Sequence, residues 1–433
     1  MGLFVTLAIV ALLVVLGIVT DLMPWFVSWL WSVLQANTGI IRFAIAIVAI
    51  LLFTIPTVFI VLFLELKVIA FMNLRIGPNR TGPWGTLVSV FHGFKVLAKE
   101  DFTPLGVDVV VFTLAPVATF VATVMVFLVI PFGPGLIGQD MNIAALYLFA
   151  MGGLSVVGLL MGGWASYNKY SLLGGLRSAA QLVTYEIPLA LSVVGVIMLA
   201  GTMSLNSIVE AQSGSFLDWF VVRQPLAFLI FILAATAEAN RPPFDMSEAD
   251  QELVGGFVTE YSGMRFGFFF FAEYVNVFVV SALAVVFFFG GWTAPIGWPW
   301  PIGANLHLAS LGLAWIPILL VVPPLAIAAV SFLVWVLPPR PPFVQAFLVG
   351  FTLFTAIAIG AGLLVVAANV AAVVGLLWFM AKSYVFVFTF VWLRATLPRI
   401  RIDQLMSLAW KWLLPAALIN IFVTALAILV VGK

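Results

Sequence analysis

The chain reads as an all-α polytopic membrane protein with about eleven transmembrane helices. Three observations point there. Hydrophobic residues fill 64% of its 433 positions, charged residues fill only 8%, and the apolar positions gather into long uninterrupted runs. An ordinary soluble domain carries about 25% charged residues, and a water-facing surface cannot be assembled from so few. Disorder requires low hydrophobicity and is excluded. A net charge of +1 lacks the basic excess of a nucleic-acid binder. Cysteine is absent, which removes thiolate metal sites, thiol nucleophiles and disulfides, and the two histidines, His92 and His307, are too few for an imidazole cage.

A span needs about 20 mostly apolar residues. In order along the chain, such runs lie at 3–20, 40–64, 107–131, 143–165, 180–201, 220–238, 266–290, 311–337, 344–366, 371–393 and 413–431. The first is short and lacks the basic leader of a secretory signal, so it reads as an uncleaved apolar helix. The runs at 344–366 and 371–393 are separated only by a weak turn near Asn369.

Lysine and arginine mark the cytoplasmic side of a membrane protein. Fourteen of them fall in alternate loops, those following 40–64, 143–165, 220–238, 311–337 and 371–393, against three (Arg42, Arg223 and Lys433) on the other side. The five basic loops are therefore expected in the cytoplasm. The opposite loops are short or rich in Trp, Pro and Gly, as from Trp292 to Pro301, and read as interfacial anchors.

Two basic-side loops carry most of the polar chemistry. The first runs from Glu65 and contains Arg75, then Gly77-Pro78-Asn79-Arg80-Thr81-Gly82-Pro83. Two Gly-Pro pairs around Asn-Arg make a stiff, non-helical clamp. Thr86 to Glu100 follows, with Leu87, Val90, Phe91, Phe94 and Leu97 at helical spacing and His92, Lys95 and Lys99 on another face. That pattern predicts an amphipathic helix at the membrane surface. The second loop holds Glu238, Asp245, Glu248, Asp250, Glu252 and Glu260 together with Arg241 and Arg265. Six of the 17 acidic residues crowd there. Ser247 and Asp250 resemble a helix-capping pair, which would set Glu248 and Glu252 on one face; burial of such a pair favours proton exchange near neutral pH. Glu186, Glu273 and Lys382 lie in or near spans, where an ionisable side chain is costly and is read as functional, commonly in a proton relay. His307 reads as structural.

These loops resemble the membrane-subunit family of proton-pumping NADH:quinone oxidoreductase (respiratory complex I) whose mitochondrial member is subunit 1. The resemblance rests on five motifs in family order: residues 77–83, 168–181, 237–245, 260–266 and 394–406. It covers roughly 40–295 and 372–431. It implies eight core spans, six within 40–295 and two within 371–433. The remainder is then an extra N-terminal segment, 1–39, and an inserted transmembrane hairpin, 296–370. It implies a multi-pass protein of the bacterial plasma membrane whose cytoplasmic loops line a quinone-access chamber with the peripheral arm. Glu65, Arg75, Arg80, His92, Arg241, Asp245 and Arg265 would border or support that chamber. Glu186, Glu238, Glu248, Glu252, Glu260 and Glu273 would form a proton relay, with Lys382 at its membrane-interior end. No cofactor or metal would bind to this subunit. Quinone would be the substrate; NADH, FMN and iron–sulfur clusters would belong to partner subunits. The partners implied are the peripheral quinone-site and iron–sulfur subunits, the small membrane subunits and the antiporter-like subunits.

The chain departs from the family pattern in two places. Leu66 stands where the family usually has arginine, and His92 stands where it usually has aspartate. Two competing readings are a related subunit of a hydrogenase-type complex that uses no quinone and a stand-alone ion transporter. The doubled Gly-Pro clamp disfavours the first. The absence of matching inverted halves disfavours the second.

Overall fold

A computed structural model describes residues 38–245, 254–294 and 370–431. It is all-helical among these residues, apart from one isolated bridge between Gly133 and Leu136. In chain order the helices are α1 (Thr38–Met72), α2 (Val88–Ala98), α3 (Val109–Met125), α4 (Ala144–Ala165), α5 (Lys169–Ala200), α6 (Leu205–Glu210) and α7 (Phe220–Arg223). They continue as α8 (Pro225–Glu238), α9 (Gly263–Phe288), α10 (Val370–Thr396), α11 (Ile402–Leu408) and α12 (Leu414–Val431). Seven described segments are long and apolar enough to cross a membrane: α1, α3, α4, α5, α9, α10 and the continuous Ile402–Val430. The expected spans at 3–20, 311–337 and 344–366, and with them the N-terminal segment and the inserted hairpin, lie outside the described residues.

The ends of these helices follow from local chemistry. Asp108 caps α3 by accepting from the backbone N–H groups of Val110 and Val111, and Asn168 caps α5 by accepting from Tyr170 at 2.9 Å. α5 ends at Gly201, whose φ of 69° is the left-handed turn that glycine adopts without penalty. Two expectations are corrected. α1 continues two turns past the expected end at residue 64, because Leu66, Val68, Ile69 and Phe71 prolong its apolar pattern; Glu65 and Lys67 are therefore helical. The expected span 220–238 is broken at Gln224, where proline starts a new helix, so α8 has only 14 residues. α2 is expected as an amphipathic surface helix, and its Phe91, Phe94 and Leu97 are exposed, while Ser89 is buried.

α9 is the axis of the bundle. Its most apolar stretch is 78% buried, against 22–44% in the other six spans. A helix that is hydrophobic on every side belongs inside, and Phe269, Phe278, Phe287 and Phe288 of α9 are all buried. α3, α4 and α5 pack in sequence beside it. Small residues allow that close packing: a Cβ on Gly163 would stand 3.0 Å from the Cα of Gly175, and one on Gly158 would collide with Thr119. The basic loops meet at one end of the bundle. There Ser262 donates to the carbonyl of Glu100, Ser171 to Phe257, and the Ile400 N–H to Pro243. The other end gathers Asp140 with Ser204, and Gln212 with Gly290.

Candidate functional site

The basic end contains a buried ionic cluster built from four distant parts of the chain. Arg241, 4% exposed, follows the last turn of α8, where its N–H donates to Thr236. Its guanidinium donates to Glu65 of α1 at 3.2 Å, pairs with Glu273 of α9 at 3.3 Å, and lies 4.5 Å over the ring of Tyr274. The second oxygen of Glu65 accepts from Arg394, near the end of α10. Asp245 accepts from Arg399 at 2.8 Å. Burial alone would lower the pKa of Arg241. The facing carboxylates of Glu273 and Glu65 outweigh it and raise the pKa, so the cation is held firmly. A planar fork of donors matches two carboxylates at once, which a lysine in this place could not do.

Behind this cluster, between α3, α4, α5, α8 and α9, lies a small cavity of about 50 Å³. At roughly 10–15 Å³ per water it has room for a few molecules. Glu186, Glu238 and Glu273 line it together. Gly152 supplies a bare patch between two of them: a Cβ there would lie 3.5 Å from Glu186 and 3.7 Å from Glu238. The second oxygen of Glu238 is buried and has no partner among the described residues. Thr119, Thr123 and Ser155 also line the cavity, but their hydroxyl protons go to their own helices: Thr119 to Ala115, Thr123 to Thr119 and Ser155 to Gly152. They therefore present lone pairs to the interior, as the carboxylates do. Asn276, one turn after Glu273, donates to the backbone oxygen of Glu238 at 3.1 Å. An acceptor-rich, water-sized chamber with three carboxylates has the composition needed to hold and pass protons.

The other expected site residues divide clearly. Asp245 joins the ionic cluster. Arg265 pairs with Asp101 at 3.3 Å and lies over Phe112, and Glu260 accepts from Asn168; both brace the loops. Tyr261, stacked on Phe112, donates to its carbonyl, and burial raises the pKa of its phenol. Arg75 and Arg80 are exposed on the Gly-Pro clamp, which Lys67 pins by donating to Pro78 at 2.6 Å. His92 is exposed on α2 and does not line the cavity. Glu248 and Glu252 lie outside the described residues. Lys382 is at the far end of the bundle, donating to the carbonyls of Phe289, Gly291 and Thr293.

Sequence reasoning passed over Arg394 and Arg399 as site residues, along with Thr119, Thr123, Ser155 and Asn276. The i, i+3 spacing of Glu273 and Asn276 and the i, i+4 spacing of the two threonines were signals that each pair shares a helix face. Nothing local announced that Arg394 would meet Glu65.

Comparison with known proteins covers the whole of this site. The model of a family described as NADH dehydrogenase matches residues 45–425. The chain is 41% identical to the NADH-quinone oxidoreductase H subunit of Brevibacillus brevis over 386 residues, 89% of this chain and 93% of that one. It is 42% identical to the H subunit of Anoxybacillus flavithermus over 84% of this chain and 86% of that one. It is 40% identical to an H subunit of Koribacter versatilis over 92% of both.

Proposed function

The chain belongs to the NADH dehydrogenase family as a membrane subunit of NADH-quinone oxidoreductase, and from that premise we propose that it couples quinone reduction to proton translocation. The observation that carries the proposal is the cavity in which Glu186, Glu238 and Glu273 meet, one ion pair removed from the basic-end loops. In this reading those loops, with the exposed Arg75 and Arg80 and the nearby His92, border a quinone path shared with peripheral subunits. A change of charge at that path acts on the Asp245–Arg399 and Glu65–Arg241–Glu273 pairs. Arg241 cannot give up its proton, so the charge balance is restored at the carboxylates. Glu273 faces both the arginine and the cavity, and proton exchange there passes through water to Glu238 and Glu186. Neighbouring membrane subunits, including the antiporter-like ones, would receive the displaced proton. The cofactors NADH, FMN and the iron–sulfur clusters stay with partner subunits. The setting is a bacterial plasma membrane with the basic end in the cytoplasm.

Glu238→Gln tests the relay. It keeps the shape and removes the titrating oxygen. Expected is a fully assembled complex in which quinone reductase activity or the proton yield per NADH is lost. Wild-type coupled turnover would refute the role.

A further inference from the structure

Gln181 lies on α5, five residues before Glu186, and is 1% exposed. Its side-chain NH2 donates to the carbonyls of Phe244 at 2.7 Å and Ala237 at 2.8 Å, and one of its two N–H groups is shared with the side-chain oxygen of Asn240 at 3.2 Å. The two carbonyls bracket the segment that contains Glu238 and Arg241. Two carbonyls facing one amide can be met only by its NH2 group, so the orientation of the amide is dictated by its surroundings. The third contact holds Asn240, a cavity-lining residue whose φ of 50° is left-handed. Asparagine tolerates that conformation better than most residues, but it still needs support. The grip therefore lies between the cavity and the ionic cluster: one end is next to Glu238 and the other is next to Asp245.

We propose that Gln181 is the positioning residue of the coupling site, holding the 237–244 segment so that Glu238 faces the cavity while Arg241 faces Glu65 and Glu273. Gln181 itself moves no proton. Its amide has no titrating group, and it supplies a donor pair in surroundings made otherwise of acceptors. This inference rests on the relay reading above. Given that reading, misplacement of a carboxylate by a fraction of an ångström to an ångström interrupts transfer through water.

The test uses the intact complex with Gln181→Glu and Gln181→Met, measuring quinone reductase turnover and proton yield per assembled complex across pH. A protonated glutamate can donate to one of the two carbonyls; an ionised one donates to neither and repels both. Expected for Gln181→Glu is partial turnover at low pH that falls, as pH rises, well before the wild type falls. Expected for Gln181→Met is a loss on the order of ten- to a hundredfold, with a pH profile that keeps the wild-type shape. A purely structural glutamine would lower only the amount of assembled complex. Unchanged turnover and coupling per complex in both variants, or a Gln181→Glu profile that parallels the wild type, overturns the inference. Glu238→Gln run beside them separates the two claims. If Glu238→Gln is impaired and the Gln181 variants are normal, only the positioning role fails. If Glu238→Gln is normal, the relay reading itself fails.

Discussion

Two cations meet α9, one near its middle and one just past its C-terminal end, and their surroundings differ in kind. Arg241 meets the carboxylates of Glu65 and Glu273. Lys382 meets only backbone and a ring among the described residues: its ammonium donates at 2.6–3.0 Å to Thr293, Phe289 and Gly291, and rests 4.4 Å over the ring of Trp219. Sixteen residues of helix, about 24 Å at 1.5 Å per residue, separate Glu273 from Phe289. The partners of Lys382 there, carbonyl oxygens and an indole face, carry no net charge. The lysine meets carbonyls that follow the last turn of α9 and sits at the pole of the helix dipole that favours a cation. The arginine end is ringed by groups that can change charge. The same helix thus meets ionisable partners near its middle and uncharged ones past its C-terminal end.

The strongest way to break this contrast is Arg241→Met. It leaves Glu65 and Glu273 buried without their common partner. Removing one member of a buried pair costs about 3–5 kcal/mol, so the complex should lose thermal stability steeply and fail to couple in the fraction that assembles. Arg241→Lys should recover only part of this, since one ammonium cannot span both carboxylates. Lys382→Met comes next. Charge-assisted hydrogen bonds contribute about 1.5–3 kcal/mol, so melting of the assembled complex should shift downward, while proton yield per NADH stays at the wild-type value. A lost yield would assign Lys382 to the relay and end the contrast. Gly152→Val has the smallest effect on stability. The space beside Gly152 accepts a Cβ at ordinary contact distance, so stability should change by about 1 kcal/mol or less. The added methyl groups occupy the gap between Glu186 and Glu238. Proton yield should drop without loss of assembly, and an unchanged yield would place the water path elsewhere.

Much of this organisation was legible because it is local. Long apolar runs and the bias of Lys and Arg give the spans and the two ends without any tertiary information. The crowding of acidic residues after α8 marks the region of the site, and Glu186 and Glu273 stand out because charge in an apolar helix is expensive. Pairing was not legible. Glu65 and Arg394 are 329 residues apart in the chain, and only the packing of α1 beside α10 joins them. Lys382 is a lone charge within a span, and the sequence does not announce the three carbonyls, of Phe289, Gly291 and Thr293, that it meets.

The brevity of α8 sets a depth. Fourteen residues reach about 21 Å, whereas the hydrocarbon layer is about 30 Å thick. The helix starts beside the exposed Arg223–Asp218 pair, and its length alone falls some 9 Å short of the thickness of the layer. Glu238 is its last residue. One oxygen of its carboxylate is buried, and the residue lines a cavity whose walls are protein. Bulk solvent reaches the buried oxygen only by the passages those walls leave open.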